Sequence, residues 1–93
     1  MKTTNERVQQ LHKVQEEAAD IFERKNQDYG DAFAKYGPVG VIIRMGDKID
    51  RLASITKKGV TLVDDESLRD TALDLMNYSC MLVMLMDEKE NND

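Results

Sequence analysis

From Val8 to Met86, apolar residues recur three and four positions apart in three stretches, and the breaks between them fall where glycine and proline collect. That period belongs to helices, since 3.6 residues complete a turn, and it is not the alternation of a half-buried strand. In the first stretch, Val8, Leu11, Val14, Ala18, Ile21 and Phe22 form one stripe. Thr3 and Glu6 stand ahead of it at capping-box spacing, so a helix is expected over about 4–25. Tyr29-Gly30 and Tyr36-Gly37-Pro38-Val39-Gly40 then carry turn signals, with room for a short helical turn between Asp31 and Tyr36.

Pro38 suits the first turn of a second helix, where its missing N–H costs nothing. Val41, Ile42, Met45, Ile49, Leu52 and Ala53 give that helix an apolar arc over about 38–57, and Gly59 follows its end. Val60 to Val63 are too few, and lack a partner run, to make a strand. Asp64 or Asp65 is placed to cap a third helix over about 65–88. Its seam reads Leu68, Ala72, Leu75, Ser79, Leu82 and Met86, with Asp87 to Asp93 a polar, fraying tail. The expectation is an all-α fold, a small bundle of three main helices in one domain over residues 1–93.

A chain of 93 residues buries only roughly 60–65% of its unfolded surface. The second half of the third helix is apolar nearly all round, since Met81, Val83, Met84 and Leu85 lie off the seam. Such a helix needs enclosing, so a homodimer or homotetramer is expected. The net charge of −5 argues against a duplex nucleic acid partner. Cys80 is the one cysteine, which excludes an intrachain disulfide, and its apolar surroundings in sequence predict a buried bystander. Met1-Lys2-Thr3-Thr4-Asn5-Glu6 does not begin a signal peptide, and the run from Leu75 to Met86 is too short to cross a bilayer. A cytoplasmic chain that engages no membrane is expected.

The carboxylates carry the chemical signal. Asp47 and Asp50 stand three apart in the second helix, while Glu66, Asp70 and Asp74 stand four apart in the third, with Asn77 three further on. Each set projects from one side of its helix. Solvated surface is the plain alternative for Asp47 and Asp50, as it is for Glu16, Glu17 and Asp20 in the first helix. On the third helix, like charges stacked four apart repel, and the helix dipole relieves only those in the first turn. Asp74 lies beyond that relief, with Leu73 beside it and Met81 and Met84 further along the stripe, which points to a groove. Oxygen-only ligands favour Mg²⁺ or Mn²⁺; no Cys/His cluster exists for zinc, and His12 is a lone surface histidine.

Phosphates would need cations from the chain. Arg44, Lys48 and Arg51 repeat at four and three along the second helix, and the alternative for them is pairing with Asp47 and Asp50. Lys25 and Lys35 bracket Asp28-Tyr29. Tyr29 or Tyr36 can stack on a base, although packing is the plainer role for each. Asn77 can hydrogen-bond a sugar or base edge. There is no Cys–His pairing, no nucleophile elbow, no Walker loop at Lys57-Lys58-Gly59 and no EF-hand loop near Asp64.

Lys25-Asn26-Gln27-Asp28-Tyr29-Gly30, Lys35-Tyr36-Gly37 and Ile43-Arg44-Met45-Gly46-Asp47-Lys48-Ile49-Asp50-Arg51-Leu52 resemble the nucleotide-modification-associated domain grouped with MazG-like proteins. Asp65-Glu66-Ser67, Asp70-Thr71 and Asp74-Leu75-Met76-Asn77-Tyr78 continue the resemblance. It implies an all-α nucleotide pyrophosphohydrolase fold, assembled as a dimer or tetramer. It further implies that Asp47 and Asp50 form one Mg²⁺-binding pair and Asp70 and Asp74 the other, with Asn77 facing the nucleotide. Where the wider superfamily has a Glu-x-x-Glu pair, this chain has aspartates, one methylene shorter on each arm. The step between Asp70 and Asp74 is four residues instead of three.

The residues and the resemblance together lead to an expected Mg²⁺- or Mn²⁺-dependent nucleoside triphosphate pyrophosphohydrolase, or a close relative acting on modified or non-standard nucleotides. Asp47, Asp50, Asp70 and Asp74 are its expected metal ligands, with Glu66 a further ligand or the base. Lys25, Tyr29, Arg44, Lys48, Arg51 and Asn77 are the expected contacts to a nucleotide di- or triphosphate. Two other readings stand beside it: a nucleotide-binding module that does not hydrolyse, and a helical interaction domain with a Met-rich docking face.

Overall fold

The computed structural model describes residues 1–57 and 66–92. Three helices account for most of them: α1 (Thr4–Tyr29), α2 (Gly37–Lys57) and α3 (Glu66–Asn92), with a single 3-10 turn at Ala32–Ala34. No strand occurs among the described residues, so the chain is all-α. None of its described helices is long and apolar enough to cross a membrane. The expectations for Gly59, for Val60 to Val63 and for a cap at Asp64 or Asp65 fall outside the described residues. The chain divides into two compact units, Met1–Gly30 and Asp31–Asp93.

The first unit is α1. Its start is the capping box: the Thr3 hydroxyl accepts from the Glu6 N–H at 3.1 Å, and Glu6 accepts from the Thr3 N–H at 3.0 Å. These bonds satisfy two backbone donors and hold the Glu6 carboxyl below its ordinary value of 4.5. Thr3→Ala removes the hydroxyl acceptor and should cost about 1 kcal/mol of α1 stability, read as lost helical ellipticity on heating. A lowered carboxyl pKa stabilises above the unfolded value, so the support from Glu6 is present at neutral pH and fades as pH falls below 4.5. An acid titration in which the wild type and Glu6→Gln lose helix in parallel from neutral pH downward would contradict this.

α1 runs four residues past the expected end near residue 25. Asn26, Gln27, Asp28 and Tyr29 contain no breaker, and the stop comes at Gly30, with φ 62° and ψ −150°. That conformation is open essentially to glycine alone. The Gly30 N–H closes the helix by donating to the Asn26 carbonyl at 2.7 Å. Along the expected stripe, Ala18 is buried and Val14, Ile21 and Phe22 are half-buried, but Val8 and Leu11 are exposed.

In the second unit, the 3-10 turn is closed by Ala34 N–H to Asp31 and Lys35 N–H to Ala32 carbonyl bonds, and it packs on the start of α2. Gly40 is required there: a Cβ at this position would lie 2.7 Å from the Cβ of Tyr36. α2 then packs along α3. Two side-chain contacts fix the register, Lys48 to Asp74 and Arg51 to Thr71. As the α2 number rises by three, the α3 number falls by three, so the helices run antiparallel.

Both seams are turned from where an apolar count places them. On α2 the covered positions are Val41, Met45, Lys48, Leu52 and Ile55, whereas Ile42, Ile49 and Ala53 of the expected arc are exposed. On α3 the row that includes Thr71 runs through Leu75, Tyr78, Leu82 and Leu85; of the expected seam, Leu68, Leu75, Ser79 and Leu82 are covered and Ala72 and Met86 exposed, while Leu73, off both rows, is buried. Each observed seam keeps the four-three spacing but admits polar members, Lys48 on α2 and Thr71 and Tyr78 on α3. Cys80, expected to be buried, is exposed. It lies two residues beyond Tyr78, hence about 160° away from the α2-facing side. α3 also continues to Asn92, past the expected end near residue 88, with no glycine or proline to interrupt it.

Candidate functional site

The α2 side of the site is a cationic stripe. Arg44, Lys48 and Arg51 are four and three residues apart, which stacks them within about 60° of one another on the helix surface. Lys48 and Arg51 meet α3. The Lys48 Nζ lies 3.3 Å from Asp74 Oδ2, with about a quarter of each side chain exposed. It also lies 5.9 Å from the centre of the Tyr78 ring, close enough for a cation–π contribution. Such a partly exposed pair contributes about 0–1 kcal/mol to stability.

Arg51 is fixed differently. Its Nε donates to the Thr71 hydroxyl at 3.1 Å, and that hydroxyl donates in turn to the Ser67 carbonyl at 2.7 Å. Thr71 is only 3% exposed, so its hydroxyl needs both partners. Arg51 as a whole is nevertheless exposed. Arg44 is exposed and forms no ion pair among the described residues. The antiparallel register sets it level with Tyr78.

The carboxylates separate into two groups. Glu66 and Asp70 are exposed, and Asp74 and Asn77 are half-buried, all on one stripe of α3. Asp47 and Asp50 are exposed on α2. Relative to Lys48, which faces α3, Asp47 is turned by about 100° and Asp50 by about 160°. The chain therefore brings Asp74 together with Lys48, Arg51, Thr71 and Tyr78, and does not bring the Asp47–Asp50 pair to the Asp70–Asp74 pair. Among the described residues, no three His, Cys, Asp or Glu side chains gather closely enough to hold one ion. Nor do Asp47 and Asp50 pair with the α2 cations, the alternative that the sequence leaves open, since Lys48 and Arg51 look to α3.

Whether these residues suit Mg²⁺ turns on what that ion requires. It commonly takes one or two carboxylates, completing its shell with waters and substrate phosphates. The Asp70–Asp74 step offers two carboxylates on one stripe, and the Lys48 ammonium already stands as a cation at Asp74. A cation arriving with phosphates fits this side of α3; a cage of four carboxylates within one chain does not.

Lys25 and Tyr29 lie at the end of α1, in the other unit, and both are exposed. Tyr29 and Tyr36 are each 75% exposed, so neither has the packing role that seemed the plainer one. Lys35 sits 5.3 Å from the Tyr36 ring centre. Thr71 and Tyr78 are the site residues that the sequence reading passed over. Their signal was present: Thr71, Asp74 and Tyr78 are spaced three and four apart, matching the α2 cations.

No curated protein and no solved structure gives a significant match to this chain. The model of a domain family described as nucleotide modification associated domain 1 matches residues 25–86, which include α2, most of α3 and every residue of the α2–α3 site. The chain belongs to the nucleotide modification associated domain 1 family.

Proposed function

We propose that this chain is a MazG-like nucleoside triphosphate pyrophosphohydrolase, dependent on Mg²⁺ or Mn²⁺ and acting on modified or non-standard nucleotides at the α2–α3 site. The observation that carries this reading is the stripe of Arg44, Lys48 and Arg51, with Lys48 against Asp74 and Arg51 against Thr71. Arg44 and the outer nitrogens of Arg51 bind phosphate oxygens, with Arg51 held in line by Thr71. Lys48, between carboxylate and solvent, reaches a third phosphate position. Asn77 faces the sugar or base. Asp70 and Asp74 hold the cation, and Asp47 and Asp50 are the second pair this reading assigns to metal. Bound there, the cation would neutralise charge on the departing pyrophosphate and lower the pKa of a water. Glu66, exposed at the start of α3, takes the proton as water attacks the α-phosphorus, leaving a nucleoside monophosphate and pyrophosphate.

The outward turn of Asp47 and Asp50, and their short arms, favour a second reading: a module that holds the same nucleotide without cleaving it. Association into a homodimer or homotetramer is part of either reading. Val39, Ile42, Ile43 and Ile49 on α2 are 52–66% exposed, an apolar face for another copy to cover.

Thermal melting with Mg²⁺ or Mn²⁺ against nucleoside mono-, di- and triphosphates, with pyrophosphate assayed in the same samples, tests this. A ligand at a hundred times its dissociation constant adds about 2.7 kcal/mol, which should raise Tm by about 10 °C or more. A metal-dependent shift with pyrophosphate release is the expected result. A shift without release makes the chain a binding module, and no shift with any nucleotide overturns both readings. Sedimentation of the same samples reads the assembly, and a monomer at all concentrations overturns that part.

A further inference from the structure

Tyr36 stands just ahead of α2 and is 75% exposed, yet the base of its side chain is seated on that helix. A Cβ built on Gly40 would lie 2.7 Å from the Tyr36 Cβ, and 3.8 and 3.9 Å from Cγ and Cδ2 of its ring. The root of the ring therefore occupies the Gly40 face of α2, and a residue without a side chain leaves room for it. Gly40, Arg44, Lys48 and Arg51 follow one another at four, four and three, on one side of the helix. The ring thus stands at the head of the cationic stripe. At 1.5 Å per residue, Gly40 is about 6 Å from Arg44 and about 17 Å from Arg51 along the axis. A base, its sugar and a row of phosphates come in that same order. The Lys35 ammonium lies over the ring, 5.3 Å from its centre. That contact occupies one face and leaves the opposite one for a ligand.

We propose that Tyr36 is the base-stacking platform of the nucleotide site, with Gly40 the positioning residue that seats it. The base lies on the free face of the ring, and the phosphates run along Arg44 toward Lys48 and Arg51. The inference rests on the nucleotide reading and adds to it how the base is recognised: by its flat face. Every base has such a face, so stacking tolerates a change at the base edge. Ordinary and edge-modified bases are then held alike, whereas a ligand with phosphates and no base loses this contact.

The probes are inorganic triphosphate and α,β-imido nucleoside triphosphates, which resist cleavage at the α-phosphorus, each titrated calorimetrically into the whole chain with Mg²⁺ present. Tyr36→Ala should weaken the nucleotides roughly five- to hundredfold, the range of one lost base stack, and leave inorganic triphosphate unchanged. Tyr36→Phe keeps the ring and should bind like wild type, as should a cytidine nucleotide methylated at carbon 5 compared with its parent. The chain has no tryptophan, so Tyr36→Trp supplies a single indole, whose fluorescence nucleotides should quench and inorganic triphosphate should not. Equal nucleotide affinity in wild type and Tyr36→Ala overturns the platform while the nucleotide reading stands, and so does an equal loss of inorganic triphosphate. No binding of any nucleotide by wild type overturns both.

Discussion

Asp74→Ala should leave the chain folded while removing its metal-dependent response to nucleotides. The carboxylate is half-buried and paired with Lys48, and about a quarter of each side chain reaches solvent. Losing a pair of that kind costs about 1 kcal/mol or less, because water and the Tyr78 face can still receive the ammonium. The functional loss should be far larger. Among the described residues of α3, Asp74 is the carboxylate with an ion-pair partner on α2. Without it, the roughly 2.7 kcal/mol of stabilisation expected at saturating nucleotide and metal should vanish, together with pyrophosphate release. The measurement is a pair of melting curves, with and without metal and nucleotide. An Asp74→Ala protein that still shifts and still releases pyrophosphate would remove Asp74 from the site.

Leu73→Ala should do the reverse. This residue is 4% exposed, one of the few large apolar side chains so fully covered. Truncating it removes buried methyl and methine groups and leaves a cavity, a change that costs about 2–5 kcal/mol. For a domain of this size that is a fall in Tm of about 10 °C or more. The protein that remains folded should keep its metal-dependent nucleotide response, since Leu73 lies about 100° around the helix from Asp74. By contrast, Met86, 55% exposed on the same helix, should tolerate alanine within about 0.5 kcal/mol. If Leu73→Ala melts like wild type, the packing assigned to this stretch of α3 is wrong.

The neighbours Leu73 and Asp74 show how far the sequence could be read. Helix existence and order followed from three- and four-residue spacing, from the Thr3–Glu6 box and from the turn signals at Gly30 and Gly37-Pro38, because local geometry alone sets these features. The cationic stripe Arg44, Lys48 and Arg51 and the acidic stripe ending at Asp74 were legible for the same reason: positions within one helix are fixed by its own period. A partly covered position for Asp74 could be inferred as well, from a like-charge stack that nothing nearby in sequence relieves.

What faces what was decided only by tertiary structure. An apolar count put Ala72 and Met86 on the α3 seam and Ile42 and Ile49 on that of α2; the packed helices place Thr71, Tyr78 and Lys48 there instead. A threonine whose hydroxyl is fully bonded, and a lysine whose stem is apolar and whose charge is met, satisfy a seam position as well as leucine does, and no hydrophobicity pattern shows it. The same rotation turned Asp47 and Asp50 away from Asp74. Local sequence fixes the spacing of side chains along a helix, but its rotation about its axis is set by the helix packed against it. Which carboxylates converge therefore depends on residues more than twenty positions apart.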